Sequence, residues 1–191
     1  TLTPQALEQR VLIGVDWSKA PVGGKGIVLF KCANDRRGFP VTVSIAQPSP
    51  AGASFIEADR IVSMYATHAD SIGAGWQVIP GLGHTGASLR ADLDMASVNP
   101  ADEAALARAP AATYYFATTT TEDPAALRVI ALPFLPVTAK NGMRVAVSID
   151  GGKPIVLDFA APEFSQSWQA HVQSNTAVES VANIPFAAGV H

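Results

Sequence analysis

Glu57 and Asp59 are the carboxylates of this chain whose spacing best suits a metal ion. In an extended segment, residues i and i+2 point to the same side, so both carboxylates would face one ligand. Carboxylate oxygens are the donors that Ca²⁺ prefers in proteins. The first interpretation of the pair is therefore a site for a hard cation such as Ca²⁺. The alternative interpretation is an exposed strand start with two solvated carboxylates.

Three aromatic residues, Trp76, Tyr114 and Trp168, are candidates for carbohydrate binding. A flat ring with a polar rim matches the apolar face of a sugar, and the same side chains are equally suited to a hydrophobic core. Tyr114 and Tyr115 are adjacent, so a strand would turn one towards the core and the other towards solvent.

Catalytic signatures are missing from the sequence. The four histidines do not have the spacing of a metal site, and no G-x-S-x-G motif occurs. The single cysteine, Cys32, has no local partner motif and is interpreted as a small buried hydrophobic residue or an inert thiol rather than a nucleophile. The remaining aspartates and glutamates are candidates by residue type alone. We therefore predict no catalytic residue in this chain.

Residues 81–86 have the letter pattern G-x-G-x-x-G of dinucleotide-binding loops. Such a loop needs a helix after it, because the phosphates bind at the helix N-terminus. Here residues 87–94 alternate between apolar and polar side chains, which is the period of a strand. We interpret the segment as a glycine-rich turn between two strands and not as a nucleotide site.

Short strand-like segments, rich in β-branched residues and separated by Gly, Pro, Asn and Asp, dominate the chain. Strands are predicted at residues 10–17, 26–31, 40–47, 54–58, 75–80, 87–94, 112–118, 127–134, 143–150 and 154–159. Asp150 and Gly151 predict a tight hairpin turn. With 48% hydrophobic and 15% charged residues, a sizeable core is expected. These features predict an all-β fold, either a β-sandwich or a jelly roll.

Two segments have the propensity for short helices. The first covers residues 99–109, with Asn99 as N-cap and Pro100 at the first helical position, and the second covers residues 161–173. Two prolines and one glycine within residues 47–52 predict a boundary between domains at residues 1–48 and 49–191.

The charge pattern argues against two classes of partner. The net charge is −3 and no run of Lys or Arg occurs, so we expect no nucleic acid. No apolar run reaches the roughly 18 residues of a membrane span, so we expect no membrane partner. The chain begins with Thr1 rather than Met, and we expect a processed protein or a piece of a longer one.

Seven motifs in a fixed order resemble those of a known family. They are VDWSKAP (15–21), IEAD (56–59), WQVIPGLGHTGAS (76–88), APAATYYF (109–116), ALPFLPV (131–137), RVAVSIDGGKP (144–154) and IPFAAGVH (184–191). Together they resemble the C-terminal region of glycoside hydrolase family 115, over nearly the whole chain. Members of that family are xylan α-1,2-glucuronidases, which remove (4-O-methyl-)glucuronic acid from xylan branches.

The resemblance implies a non-catalytic region, because the catalytic machinery of the family lies in upstream domains. It implies that residues 1–48 are the terminal strands of a preceding immunoglobulin-like or linking module, and that residues 49–191 are the C-terminal β-sandwich. Residues 54–59 are similar to the opening strand of jelly-roll carbohydrate-binding modules, which helps to hold a structural Ca²⁺. Asp59 stands where those modules have a second Glu.

The resemblance also implies partners and a location. The region would support the catalytic domains of its parent enzyme, form homodimer contacts, or bind xylan or glucuronoxylan. The alternative is a free-standing carbohydrate-binding module that recognises xylan or a related polysaccharide. A secreted or periplasmic bacterial protein is expected. Because the family sequence continues beyond AGVH, we expect a chain truncated at both ends.

Overall fold

The computed structural model describes residues 19, 25–31, 38–44, 50–92, 98–136 and 142–191. The chain divides into two compact units, Thr1–Pro48 and Ser49–His191. In the first unit, β1 (Lys25–Lys31) pairs antiparallel with β2 (Gly38–Ser44). The predicted strand at residues 10–17 and Cys32 lie outside the described residues. The assignment of the first unit to an immunoglobulin-like or linking module stays a prediction.

The second unit consists mainly of strands. Its elements are β3 (Phe55–Ile56), a 3₁₀ turn (Ala66–His68), β4 (Ser71–Ile72), β5 (Trp76–Pro80), β6 (Ala87–Ala91), α1 (Glu103–Arg108), β7 (Ala112–Thr113), β8 (Phe116–Thr118), β9 (Glu122–Ala131), β10 (Arg144–Val147), β11 (Ile155–Asp158), α2 (Gln166–Ser174), β12 (Ala177–Phe186) and β13 (Gly189–Val190). The prediction of an all-β fold with two short helices is confirmed. The arrangement of its sheets as a sandwich or jelly roll stays a prediction.

Most strands pair antiparallel. The pairs are β4 with β7, β5 with β6, β9 with β12 and β10 with β11. The exception involves β8, which lies between β13 on one side and β3 on the other, with β3 running parallel to it. Because β3 precedes β8 by about sixty residues, this parallel pair joins distant parts of the chain.

The core of the second unit lies where the β9–β12 and β10–β11 pairs turn apolar side chains towards one another. The buried members are Met143, Leu157, Phe159 and Ala177, and the partly buried side chains packed against them are Val129, Ala131, Val145, Val147 and Val181. Val145 and Val147 point inward while Arg144, Ala146 and Ser148 are exposed, as their alternation predicts. Side chains from four strands therefore form one continuous apolar cluster.

The tight turn between β10 and β11 confirms the predicted hairpin. Asp150 and Gly151 have φ values of 51° and 70°. The Gly152 backbone N–H donates to the Ile149 carbonyl at 2.8 Å and closes the turn. Two successive residues with positive φ are the signature of a turn whose twist matches the flanking strands.

Helix α1 starts later than the sequence indicates. The predicted N-cap, Asn99, instead begins a turn, in which its side chain accepts from the Ala101 backbone N–H at 3.1 Å. The actual N-cap is Asp102, whose side chain accepts from the Ala105 N–H at 2.9 Å. The prediction of Asn99 as cap and Pro100 as first helical residue was therefore wrong, because an aspartate three positions later offers an equivalent cap.

Strand β12 was missed by the sequence analysis, although it is ten residues long and pairs with β9. Asn183 has a φ of 59°, and the register shifts on either side of Ile184. Such bulges interrupt the two-residue alternation by which a strand is recognised. Helix α2 overlaps the predicted segment 161–173 and ends one residue beyond it, with Ser165 as N-cap and Asn175 in the left-handed conformation at its end.

Candidate functional site

The glycine-rich segment at 81–86 forms a turn between β5 and β6. The Gly81 N–H donates to the Gly86 carbonyl at 2.7 Å, and Gly81, Gly83 and Gly86 all have positive φ. The φ of 81° at Gly83 favours glycine there, and a Cβ atom would lie 2.7 Å from the Ser88 Oγ and displace that hydroxyl. A strand follows the loop, as predicted, and the helix N-terminus that would bind a dinucleotide is missing at this position.

Glu57 connects β3 to the segment that follows β8. Its side chain is 8% exposed. Its Oε2 accepts from the backbone N–H groups of Thr119 at 2.7 Å and Thr120 at 3.2 Å, and its Oε1 accepts from the Thr120 hydroxyl at 2.8 Å. The pKa of Glu57 is lowered below its ordinary value of 4.5, because these donors, with the Thr119 N–H foremost, stabilise the charged carboxylate. Its oxygens thus have structural hydrogen bonds within the domain.

Asp59 does not continue the extended segment. It is exposed, its φ is 51°, and it lies in a tight turn closed by pairing between Ala58 and Ile61. The expected alignment of Glu57 with Asp59 depended on extended backbone and fails at this turn, where aspartate tolerates the left-handed conformation. Among the described residues, no three His, Cys, Asp or Glu side chains converge as metal ligands. The Ca²⁺ site stays a prediction.

We expect the melting temperature of Glu57→Gln to fall less than that of the wild type as the pH is lowered. Because the pKa of Glu57 is lower in the folded state than its ordinary value of 4.5, ionisation stabilises the fold above that pH. The contribution is lost as the pH falls through the folded pKa. The melting temperatures of wild type and variant, measured from pH 7 to pH 3, should therefore differ most near neutrality and converge in acid.

The matched control for this measurement is Glu163→Gln, which changes an exposed glutamate. We expect its melting temperature to stay close to that of the wild type at neutral pH. A gap between wild type and Glu57→Gln that stays constant from pH 7 to pH 3 would contradict the assigned role of the Glu57 carboxylate.

Trp76 and Tyr114 use their polar atoms inside the fold. The Trp76 Nε1–H donates to the Pro110 carbonyl at 2.9 Å, and the Tyr114 hydroxyl donates to the Ala66 carbonyl at 2.7 Å. Burial raises the pKa of Tyr114. Both rings are partly buried. Carbohydrate binding by these two residues stays a prediction.

Tyr115 faces the other way. Its side chain is 48% exposed, whereas that of Tyr114 is partly buried. The prediction that one tyrosine points inward and the other outward is confirmed, although the strand is interrupted at these two residues, between β7 and β8.

Trp168, the third aromatic candidate, lines a cleft of about 250 Å³. Its ring packs against Phe164, with 5.3 Å between the ring centroids. The residues that line this Trp168 cleft are Pro133, Phe134, Leu135, Pro136, Phe159, Ala161, Trp168, His171 and Val172. The side chains of Phe134, Leu135, Phe164 and Val172 are exposed. The structure thus places Trp168 in a largely apolar, open surface depression.

Two further carboxylates, those of Asp158 and Asp102, make hydrogen bonds that stabilise the fold. Asp158 pairs with the Arg144 guanidinium at 2.8 Å and accepts from the backbone N–H of Met143 and of Ala160, both at 3.1 Å. Desolvation of Asp158 raises its pKa, but these hydrogen bonds outweigh it, so the net shift is downward. Asp102 caps α1, as described above. Hydrogen bonds of this kind fix turns and strand ends.

The family is decided by comparison with known proteins. The model of the glycosyl hydrolase family 115 C-terminal domain matches residues 54–191. The chain belongs to this family. It carries the accessory C-terminal domain of a glycoside hydrolase, and the resemblance found in the sequence is confirmed. A search of curated proteins finds no match. Neither helix of the described part of the chain is long and apolar enough to cross a membrane.

The family 115 domain contains one cluster that the sequence analysis missed. The side chain of His191 is 8% exposed and packs between the rings of Phe116 and Phe186, with centroid distances of 5.2 and 5.0 Å. Its Nδ1 lies 2.9 Å from Asp150 Oδ2, and its Nε2 lies 2.9 Å from the Ala187 carbonyl. His191 thus joins the β10–β11 turn to β8 and β12. The only signal in the sequence was its position in the IPFAAGVH motif.

Proposed function

We propose that residues 49–191 form a non-catalytic domain of an enzyme that removes (4-O-methyl-)glucuronic acid from xylan. We further propose that this domain packs against the rest of that enzyme through the Trp168 cleft. The observation that supports the contact is the concentration of exposed apolar side chains around Trp168. Soluble proteins rarely expose such clusters unless another surface covers them.

The chemistry of the cleft favours a protein surface over a sugar. Of the nine lining residues in the described part of the chain, eight are apolar or aromatic, and His171 is the single titratable one among them. The centres of protein interfaces are rich in aromatic and aliphatic side chains and poor in charge. A sugar site needs several polar groups placed around an aromatic ring, because each sugar hydroxyl that loses water must find a new partner.

The occupant we propose is the catalytic part of the parent enzyme. A C-terminal accessory domain is held close to the preceding domains by the chain itself, which raises the effective concentration of any contact between them. A second copy of the chain and a xylan chain are the alternative occupants. For a xylan chain, the rings of Trp168 and Phe164 would be the surface on which a sugar stacks.

The matched variants for this contact are Phe134→Ala, inside the cleft, and Ile61→Ala, outside it. Phe134 is 63% exposed and Ile61 is 66% exposed, so neither truncation leaves a cavity in the hydrophobic core. Titration of the catalytic part of the enzyme, produced as a separate chain, should show affinity for the wild-type domain. Because buried aromatic anchors dominate interfaces, we expect Phe134→Ala to weaken this affinity at least about tenfold and Ile61→Ala to change it less than about twofold.

Equal affinities for both variants would contradict a contact at the cleft. A change in the sedimentation mass of the domain alone on Phe134→Ala would instead assign the cleft to a second copy. Loss of retention in xylan gels on the same substitution would assign it to polysaccharide.

A further inference from the structure

A second cleft, of about 500 Å³, lies beside Tyr115 and is chemically different from the Trp168 cleft. It is open to solvent, and its lining residues are Gly52, Ala53, Ser54, Asp70, Tyr115 and Val190. Gly52 has a φ of 94°, and a Cβ atom placed there would meet no atom within 4 Å among the residues that the structure describes. This Tyr115 cleft thus combines one exposed aromatic ring with one carboxylate.

The backbone of Tyr115 is fixed on both sides. Its N–H donates to Asp70 Oδ2 at 2.7 Å, and its carbonyl accepts from the N–H groups of Ser54 at 2.8 Å and Phe55 at 3.2 Å. A ligand that stacks on the ring therefore does not have to order the backbone that carries it. The Tyr115 ring is a platform at the surface on a backbone that is already fixed.

Asp70 presents a charged acceptor next to this platform. Its Oδ1 accepts from the Ser54 hydroxyl and its Oδ2 from the Tyr115 N–H. The pKa of Asp70 is lowered below its ordinary value of 3.8, first by the Ser54 hydroxyl and then by the Tyr115 N–H, so the carboxylate is ionised at neutral pH. A carboxylate has about four lone-pair sites, so further hydrogen bonds from a ligand hydroxyl can be accepted.

We propose that the Tyr115 cleft binds a neutral sugar residue of a polysaccharide chain. The ring of Tyr115 would stack on the apolar face of the sugar, and Asp70 would accept hydrogen bonds from its hydroxyls. A uronic acid is disfavoured, because its carboxylate would lie next to that of Asp70. The site is separate from the Trp168 cleft and does not depend on the contact proposed there.

The test is affinity electrophoresis of the whole chain in gels that contain unsubstituted xylan, mixed-linkage β-glucan, galactomannan or polygalacturonate, and in gels without polysaccharide. We expect retardation by at least one of the three neutral polysaccharides and none by polygalacturonate. Tyr115→Ala should weaken the affinity at least about tenfold, because one stacked ring is removed. Tyr115→Phe, which keeps the ring, should retain most of it.

Tyr65→Ala is the matched control, because Tyr65 is 49% exposed and lies outside the Tyr115 cleft. Phe134→Ala should also leave the retention unchanged, which separates this site from the Trp168 cleft. Melting temperatures of all variants identify any that fail to fold, and Tyr115→Phe then decides between loss of the ring and loss of the fold. Three results would refute the site: no retardation of the wild type by any neutral polysaccharide, equal retardation of Tyr115→Ala, or stronger retardation of the wild type by polygalacturonate than by the neutral polysaccharides.

Discussion

Leu157→Ala is expected to lower the free energy of unfolding of the second unit by about 3 kcal/mol. Leu157 is 6% exposed and lies in the cluster between the β9–β12 and β10–β11 pairs, directly opposite Val145. Truncation removes its buried methyl groups and leaves a cavity. The surrounding side chains are held by four different strands, so they cannot move in to fill it. Urea unfolding followed by circular dichroism measures the loss.

Val156→Ala is the control, because Val156 precedes Leu157 on β11 and points to the opposite face, where it is 36% exposed. Its truncation should cost less than about 1 kcal/mol, since part of the side chain stays in water in the folded state. Equal losses for the two variants would mean that the apolar cluster is not the centre of the folded unit.

His191→Ala is expected to lower the free energy of unfolding by about 2 kcal/mol, chiefly through lost packing. The ring is nearly buried between Phe116 and Phe186, so its removal exposes two aromatic side chains. Its hydrogen bond to Asp150 is the smaller contribution, because the Asp150 carboxylate is half exposed to water.

A double-mutant cycle with Asp150→Asn separates the two contributions. We expect Asp150→Asn alone to cost less than about 1 kcal/mol, and the coupling energy between positions 150 and 191 to be below about 1 kcal/mol. If Asp150→Asn destabilised the protein as much as His191→Ala, the contact between His191 and Asp150 rather than the aromatic packing would hold the β10–β11 turn to β8.

Local patterns in the sequence predicted the features that depend on neighbouring residues. The alternation of Val145 and Val147 predicted a strand with one buried face, and Asp150 with Gly151 predicted the turn that follows it. The glycines at 81–86 predicted a turn because period two continued after them. In each case the controlling interaction spans only a few residues.

Features that join distant residues could not be predicted in this way. The hydrogen bonds of Glu57 reach Thr119 and Thr120, and the ring of His191 contacts Phe116 and Asp150, across tens of residues in each case. Composition and spacing carry no information on such contacts. Sequence reasoning therefore could not find that the Glu57 carboxylate connects β3 to the segment after β8 through hydrogen bonds.

The aromatic candidates show the same limit. Adjacent tyrosines predicted opposite orientations but not which ring points outward, and that depends on the Ala66 carbonyl, which binds the Tyr114 hydroxyl from 48 residues away. The exposed ring proves to be Tyr115, next to Asp70. Trp168 differs because α2 and the segment 133–136 assemble its cleft only in the folded domain.

Association of the second unit with the catalytic part of its parent enzyme tests the proposed accessory role most directly. Calorimetric titration of the two separately produced chains should show one-to-one binding with a negative change in heat capacity, because apolar surface at the Trp168 cleft is buried. A short flexible linker would supply an effective concentration of about 1 mM. We therefore expect the dissociation constant of the two separate chains to lie below about 1 mM. No association at about 1 mM would contradict the proposed contact.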